Sequence, residues 1–476
     1  MNKHLAIIST GRFLQMVIMF LTYRILSTVL SVSDMGVYYF LLSIAGAFGL
    51  IFANPIGMYA NRMLHSWRDH GTLIKNFKTI ILVFLIGSLL TIPFLYIFKS
   101  KISLESGQWL LVVMTLVLYV FSTSINGTLV PSLNLLGFTN QFVLWTLMTN
   151  LVGLIISYLM VKLINPQPLY WLIGQGISFI FFGVLSYFIL SFKFSHETTV
   201  KLKDIGARIK KVVYFGLPIA VTNIAVWGLA QSFRFFYKEN IDPIILGELT
   251  FGLGLATSLC VAVEYLFQQL YFPSFYSHIN KPNEDKEDAW NLLLNRLMPS
   301  YIYLLFFLIG LAPFVLRVLA DTKFKNSSQF LALGAFVEIV RMVGNIFTMA
   351  TQSELKTHKA MGPYLLGGSI TIISILFISH HPEFVSYTPY CLMCGYLGAL
   401  IYLYINVSHL IKVKIPLVGL LKNFMVSTLF LTAMVFNTLS SSFFYSVLIC
   451  LFYGLFFLYL LYHSYQNQML REVVDA

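Results

Sequence analysis

The chain is short of charge. Only 11% of its 476 residues are Asp, Glu, Lys or Arg, against about 25% in soluble domains, and that shortage excludes a soluble protein. Two stretches, Trp109 to Val161 and Asn423 to Leu470, carry none of the four. A helix crosses the hydrocarbon core in about 20 residues, so each of these stretches holds two crossings. Short alternating apolar and polar segments are also missing, which excludes a membrane β-barrel. Cysteine is scarce. Cys260, Cys391, Cys394 and Cys450 all lie in apolar segments. The C-x-x-C at Cys391 and Cys394 falls on one face of a helix and reads as packing, with no metal or redox role. There is no phosphate-cradling glycine loop, no nucleophile elbow and no metal-ligand spacing around His380-His381. These gaps argue against ATP hydrolysis and against an enzyme of a familiar hydrolytic class.

What is present is 58% hydrophobic. The pattern is that of an all-α polytopic membrane protein with about 14 transmembrane helices. The spans fall near 5–30, 36–60, 76–98, 109–136, 140–164, 168–192, 211–238, 244–272, 296–319, 326–350, 361–380, 386–411, 416–437 and 442–464. Breaks coincide with turn chemistry, as at Gly137-Phe138-Thr139-Asn140 and Asn165-Pro166-Gln167-Pro168. Arg12 interrupts the first apolar run and no small-residue cleavage site follows, so that run reads as a retained span.

The net charge of +12 sits in loops of one side. With the N-terminus inside, the inward loops hold 20 Lys and Arg and the outward loops 7, which puts both termini in the cytoplasm. Loop retention and a basic translocation path account for this charge without nucleic acid. A basic stretch from Lys193 to Lys211 and an acidic one from Asn280 to Asp288 are both expected inside, and none of the outward loops is long.

The chain repeats itself. Arg24 is followed by Ser31-Val32-Ser33-Asp34-Met35-Gly36, and Arg234 by Asn240-Ile241-Asp242-Pro243 and then Gly247. Tyr119, Ser122 and Asn126 share their spacing with Glu338, Arg341 and Asn345. Offsets of 210 and 219 residues map spans 1–6 onto spans 7–12, two parallel six-helix lobes with two additional spans. The expected divisions are an N-lobe at 1–195, a cytoplasmic linker at 196–210, a C-lobe at 211–411 and the two extra spans at 412–476. Parallel repeats of this kind occur in transporters, with the substrate site between the halves.

Charges inside spans cost on the order of 3 kcal/mol on insertion scales, so Arg12, Arg24, Arg234, Glu264, Glu338 and Arg341 each need a partner or water. Span 10 places Glu338, Arg341, Asn345, Thr348 and Gln352 at steps of 3 and 4, one helix face. That stripe should avoid lipid, and Glu338 and Arg341 can pair. Span 7 repeats the theme with Asn223, Trp227, Gln231, Arg234 and Lys238. Trp227 can stack on a sugar or on Arg234. Span 1 offers Arg12, Gln15, Met19 and Thr22 on one face. Glu264, with Thr257, Cys260 and Gln268 on its face, is either a proton or sodium site or a partner for an arginine. The candidate substrate-binding residues are Arg24, Arg234, Arg341, Asn345, Asn126, Gln231 and Trp227. The candidate ion-coupling residues are Glu264 and Glu338, with no cofactor beyond an H+ or Na+ gradient. Arg24 and Arg234 are expected to face each other across the cleft, nearer its outer end.

Ser33-Asp34-Met35-Gly36-Val37-Tyr38 after Arg24, Asn61-Arg62 closing span 2, and Phe215-Gly216-Leu217-Pro218 opening span 7 together resemble the bacterial polysaccharide (O-antigen type) flippases. These belong to the multidrug/oligosaccharidyl-lipid/polysaccharide exporter superfamily. The resemblance implies two six-helix lobes around a central cavity and export of an undecaprenyl-diphosphate-linked oligosaccharide across the inner membrane, with cavity arginines meeting the diphosphate. Membrane lipids, and a polysaccharide polymerase with chain-length proteins, are the implied partners in lipopolysaccharide assembly. A lipid II flippase and a multidrug exporter of the same superfamily remain alternatives. A membrane polymerase or acyltransferase is the rival from a different class, and the short outer loops and the repeat count against it.

Overall fold

The structure, a computed structural model, describes residues 3–99, 108–194, 202–236, 242–278, 283–354, 356, 358–415, 417–437 and 442–474. It is all-helical, with no strand among the described residues. The first part of the chain forms α1 (Lys3–Val29), α2 (Val32–Phe48), α3 (Asn54–Asp69), α4 (Leu73–Leu89), α5 (Thr91–Ile97), α6 (Trp109–Leu135), α7 (Thr139–Leu163), α8 (Pro168–Phe194), α9 (Leu202–Gln231) and α10 (Phe233–Phe236). The rest forms α11 (Pro243–His278), α12 (Asn283–Leu319), α13 (Ser327–Ser353), α14 (His358–Ile378), α15 (Phe384–Ser408), α16 (Leu417–Ser427), α17 (Ala433–Phe436) and α18 (Phe443–Val474). Among the described residues, fourteen helical stretches are long and apolar enough to cross a membrane, and they coincide one for one with the fourteen spans read from the sequence.

The duplicated joint has a local explanation. Ser31 stands in extended conformation before α2, and a capping box closes there. Asp34 N donates to Ser31 Oγ (3.1 Å) and Ser31 N donates to Asp34 Oδ2 (3.3 Å), so two end groups of the helix are satisfied reciprocally. At the second joint Ile244 N donates to Asp242 Oδ1 (2.8 Å), with Pro243 opening the helix, where its missing N–H costs nothing. The turn between α6 and α7 needs Gly137, whose φ is +90°, a conformation that penalises any Cβ.

Four boundaries differ from the sequence reading. Span 2 continues to Asp69 as one stretch of 38 residues, so Asn61-Arg62 lies within a helix and does not close it. A five-residue π-helical segment, Gly49–Ala53, joins α2 to α3 just before Pro55. Pro55 lacks the N–H that a regular α ladder would use there, and wider hydrogen bonding absorbs the gap. α12 begins at Asn283, so most of the acidic stretch is helix. α9 begins at Leu202 and ends at Gln231, which leaves Arg234 in the separate short α10. Lys238 lies outside the described residues.

The chain divides by contacts into two compact units, Met1–Glu239 and Asn240–Ala476. In the first, α8 packs against α6 and α7, α1 lies on α7, and α9 lies on α3 and the π segment. In the second, α13 packs against α11, α12 and α15, α14 pairs with α15, and α16 to α18 line α12. The sequence repeat starts its second half with span 7, whereas the packing groups α9 with the first six spans. Arg24 and Arg234 thus both belong to the first unit.

Candidate functional site

The second unit holds a buried ionic network. Glu338 and Arg341 lie three residues apart on α13, and Arg341 Nε donates to Glu338 Oε2 at 2.6 Å. From α11, Glu264 takes Arg341 Nη2 at 2.9 Å. Asn345 Nδ2 donates to the other Glu264 oxygen at 2.7 Å, and Thr257 Oγ1 donates to Glu338 Oε1 at 2.7 Å. Every oxygen of both carboxylates therefore has a protein donor. The helical spacing is the cause: steps of 3 and 4 put Glu338, Arg341 and Asn345 on the face that α13 turns to α11. Thr348 extends the stripe and shares a hydrogen bond of 3.0 Å with the Tyr364 hydroxyl of α14. The stripe is thus satisfied inside the bundle, as its polarity requires. With both carboxylates ionised, two acids and one arginine carry one net negative charge. The side chain of Gln352 lies outside the described residues.

The first unit holds the opposite charge. Arg234 is 93% buried, since only 7% of its surface is exposed. Its guanidinium lies 5.4 Å from the Tyr39 ring and 5.0 Å from the Phe233 ring, and it hydrogen-bonds Gln231. Nε is buried with no partner, and no carboxylate among the described residues pairs with this arginine. The next residue, Phe235, anchors α10 in an aromatic cluster with Phe40 (5.0 Å), Phe98 (4.8 Å) and Trp227 (5.2 Å). Trp227 stacks there, against Phe235, and its Nε1 donates to Ser43 O (2.9 Å). Asn223, one turn earlier, donates to the Leu50 carbonyl of the π segment (2.6 Å). The polar face of α9 thus ties that helix to α2.

Arg24 is half-buried on α1. Arg12 donates to Gln15 Oε1 (2.8 Å). Asn126, on α6, donates to Thr149 Oγ1 (3.4 Å) and to Phe179 O (3.2 Å), linking α6, α7 and α8. Sequence reasoning passed over Glu248, which is 93% buried near the start of α11 and accepts from Asn326 Nδ2 (2.9 Å). Its place at the edge of span 8 hid it. Tyr39 was missed as well, because a tyrosine in an apolar run carries no signal of its own. Among the described residues no group of three or more His, Cys, Asp or Glu is placed to hold a metal ion.

No protein-family model and no curated protein matches this chain. Solved structures do. The lipid II flippase MurJ, in an inward closed conformation, superposes with a TM-score of 0.61 at 16% identity, covering 96% of this chain and 98% of that one. A transporter of the MOP superfamily from Pyrococcus furiosus gives 0.52 at 13% identity, over 91% and 96% of the two chains. An inward-facing multidrug resistance MATE family transporter of the same superfamily gives 0.50 at 15% identity, over 89% and 95%. The fold is accordingly shared with these membrane transporters over nearly the whole chain.

Proposed function

We propose that the chain is a flippase. It carries an undecaprenyl-diphosphate-linked oligosaccharide, an O-antigen or similar polysaccharide repeat unit, across the bacterial inner membrane by alternating access, with both termini in the cytoplasm. The observation that supports this most is Arg234, an arginine buried in a membrane-embedded unit with no carboxylate among the described residues to neutralise it. Desolvating an ion costs several kcal/mol, and a mobile anion compensates that cost in a way a fixed acid would not. A guanidinium fork meets phosphate oxygens two at a time. Gln231 and the Tyr39 ring hold the fork, and Arg24 stands in the same unit. The acidic network on α11 and α13 serves as the ion-coupling centre, because its odd charge is balanced by one H+ or one Na+. A polysaccharide polymerase and chain-length proteins are the expected partners downstream.

Lipid II flipping is the second reading, favoured by the fold likeness to MurJ, and it uses the same anionic recognition. A multidrug exporter of cations is disfavoured by a buried arginine that repels them. The test is complementation in two strains, one lacking its O-antigen flippase and one depleted of lipid II export. Rescue of the first by the wild-type chain, with loss on Arg234→Ala, is the expected result. Surface polysaccharide at wild-type levels with Arg234→Ala would remove the arginine from the reading. Rescue of the second strain alone would install the lipid II alternative.

A further inference from the structure

We propose that the first unit contains a saccharide subsite between α1, α7 and α8, distinct from the arginine site. The assignment rests on the reading that the substrate bears sugars. A cavity of about 110 Å³, or about 430 Å³ with its open mouth included, is enclosed there. A cavity of about 150 Å³ accommodates a benzene ring, so the enclosed part takes one edge of a pyranose and the mouth takes the remainder.

The lining selects the ligand. Its polar members are Thr22, Thr149, Asn150 and Gln175, all neutral. No charged side chain reaches it, so a phosphate or a metal dication has no counter-charge. A purely apolar ligand would leave the free lone pairs of these four groups without a donor. The hydroxyl hydrogens are already committed: Thr22 Oγ1 donates to Ile18 O (2.8 Å) and Thr149 Oγ1 to Trp145 O (2.6 Å). One amide hydrogen of Asn150 is committed likewise, to Thr146 O (2.7 Å). What remains for the cavity is mainly oxygen lone pairs, which suit a ligand rich in O–H donors. Met19, Leu154 and Phe179 complete the wall. They offer an apolar face for the C–H side of a sugar ring, and Phe179 offers a ring to stack on.

Asn126 stands behind this wall. Its amide holds Thr149 Oγ1 and the Phe179 carbonyl, both belonging to lining residues. It is a positioning residue here, which gives a role to a side chain that the sequence repeat singled out. Gly153 lines the cavity too, and a Cβ there meets Ser178 Cβ only at 3.4 Å, an ordinary contact. The position can therefore be filled without disturbing the helices.

The test uses the full chain in nanodiscs. Saturation-transfer NMR is run with methyl α-D-glucopyranoside, methyl α-D-galactopyranoside and methyl N-acetyl-β-D-glucosaminide, on wild type and on Asn150→Leu, Gln175→Leu and Gly153→Ala. Thermal unfolding confirms that each variant folds, and Gly153→Ala adds a methyl to the cavity wall, against Ser178 and the Gln175 backbone, while leaving every polar group in place. At least one glycoside is expected to bind the wild type, with roughly tenfold loss in all three variants. Absence of binding to the wild type, or equal binding by the variants, overturns the subsite. So does stabilisation by NaCl, without any glycoside, that depends on Asn150 and Gln175, since that outcome makes the cavity a monovalent-cation site. Glycoside binding that depends on Asn150, in a chain that moves no lipid-linked oligosaccharide, defeats the flippase reading and leaves the subsite standing. Transport by the wild type and by all three variants at the same rate and with the same sugar preference defeats the subsite alone.

Discussion

Arg341 on α13 and Glu264 on α11, 77 positions apart in sequence, meet at 2.9 Å inside the second unit. The guanidinium that reaches Glu264 also holds Glu338, so one cation joins two acids. Removing the cation leaves two buried like charges. Arg341→Met is therefore expected to cost about 3–5 kcal/mol, the usual range for breaking a buried ion pair. Glu264→Gln, which retains an oxygen for Asn345, costs less. In the double variant Arg341→Met, Glu264→Gln much of the loss returns. Thermal unfolding of the purified chain in detergent measures the cycle, and simple additivity would show that the two residues are not coupled.

The proposed coupling role of that network is tested through its formal charge. Glu338→Gln makes its formal charge zero while keeping one acceptor oxygen for Arg341 and turning an amide NH2 towards Thr257. Flipping in proteoliposomes should then lose its response to an imposed H+ or Na+ gradient, while downhill exchange persists. A gradient response equal to wild type would take the coupling role away from Glu338.

Arg234 behaves differently because no carboxylate among the described residues neutralises it. Its cation–π contacts return about 2 kcal/mol when desolvated, less than the several kcal/mol needed to strip water from the ion. Arg234→Met, which keeps the aliphatic volume, should melt at the same temperature or higher and yet lose transport. A marked fall in melting temperature would mean that the arginine serves stability and not an anion.

The π segment of span 2 depends on a side chain from α9. Asn223→Ala deprives the Leu50 carbonyl of its donor, an unpaired group worth about 1–3 kcal/mol. Amide exchange over residues 49–53 should accelerate in the variant. Unchanged exchange would show that the segment holds its shape unaided.

Spans 13 and 14 test as integral parts of the second unit. A Cβ on Gly310 of α12 would stand 2.2 Å from the Phe430 carbonyl oxygen, in the 3-10 segment Thr428–Thr432 that follows α16. Arg317 and Tyr303 of α12 donate to Asn437 (2.6 Å) and Asn423 (2.9 Å) on either side of that contact. Gly310→Ala should cost about 1–3 kcal/mol through overpacking. Gly46→Ala, where a Cβ meets nothing within 4 Å, is the neutral control. Equal melting of the two variants would contradict the close approach.

Much of this was legible in the chain. Apolar length located all fourteen spans, because the bilayer core sets a minimum run. The i, i+3 spacing of Glu338 and Arg341 announced their pairing. Glu264 was legible as an embedded acid with two readings, an ion site or a partner for an arginine, since periodicity shows which residues share a face but not which helix that face meets. The polar cavity on α1 was half visible: Met19 and Thr22 share a face with Arg12, but Asn150 and Gln175 carried no signal in runs otherwise read as lipid spans.

The sequence by itself determined the class of solvent, the number of crossings, the duplicated joint and the identity of the embedded charges. Those follow from composition and spacing, which act locally along the chain. Tertiary packing decided the rest. It assigned α9 to the first unit, placing Arg234 beside Tyr39 in the half that contains Arg24, and it brought Glu264 to Arg341. The physical reason is that helices in a membrane choose neighbours by close approach of small residues and by interhelical hydrogen bonds. Those terms exist only when two surfaces meet, and no single segment encodes them.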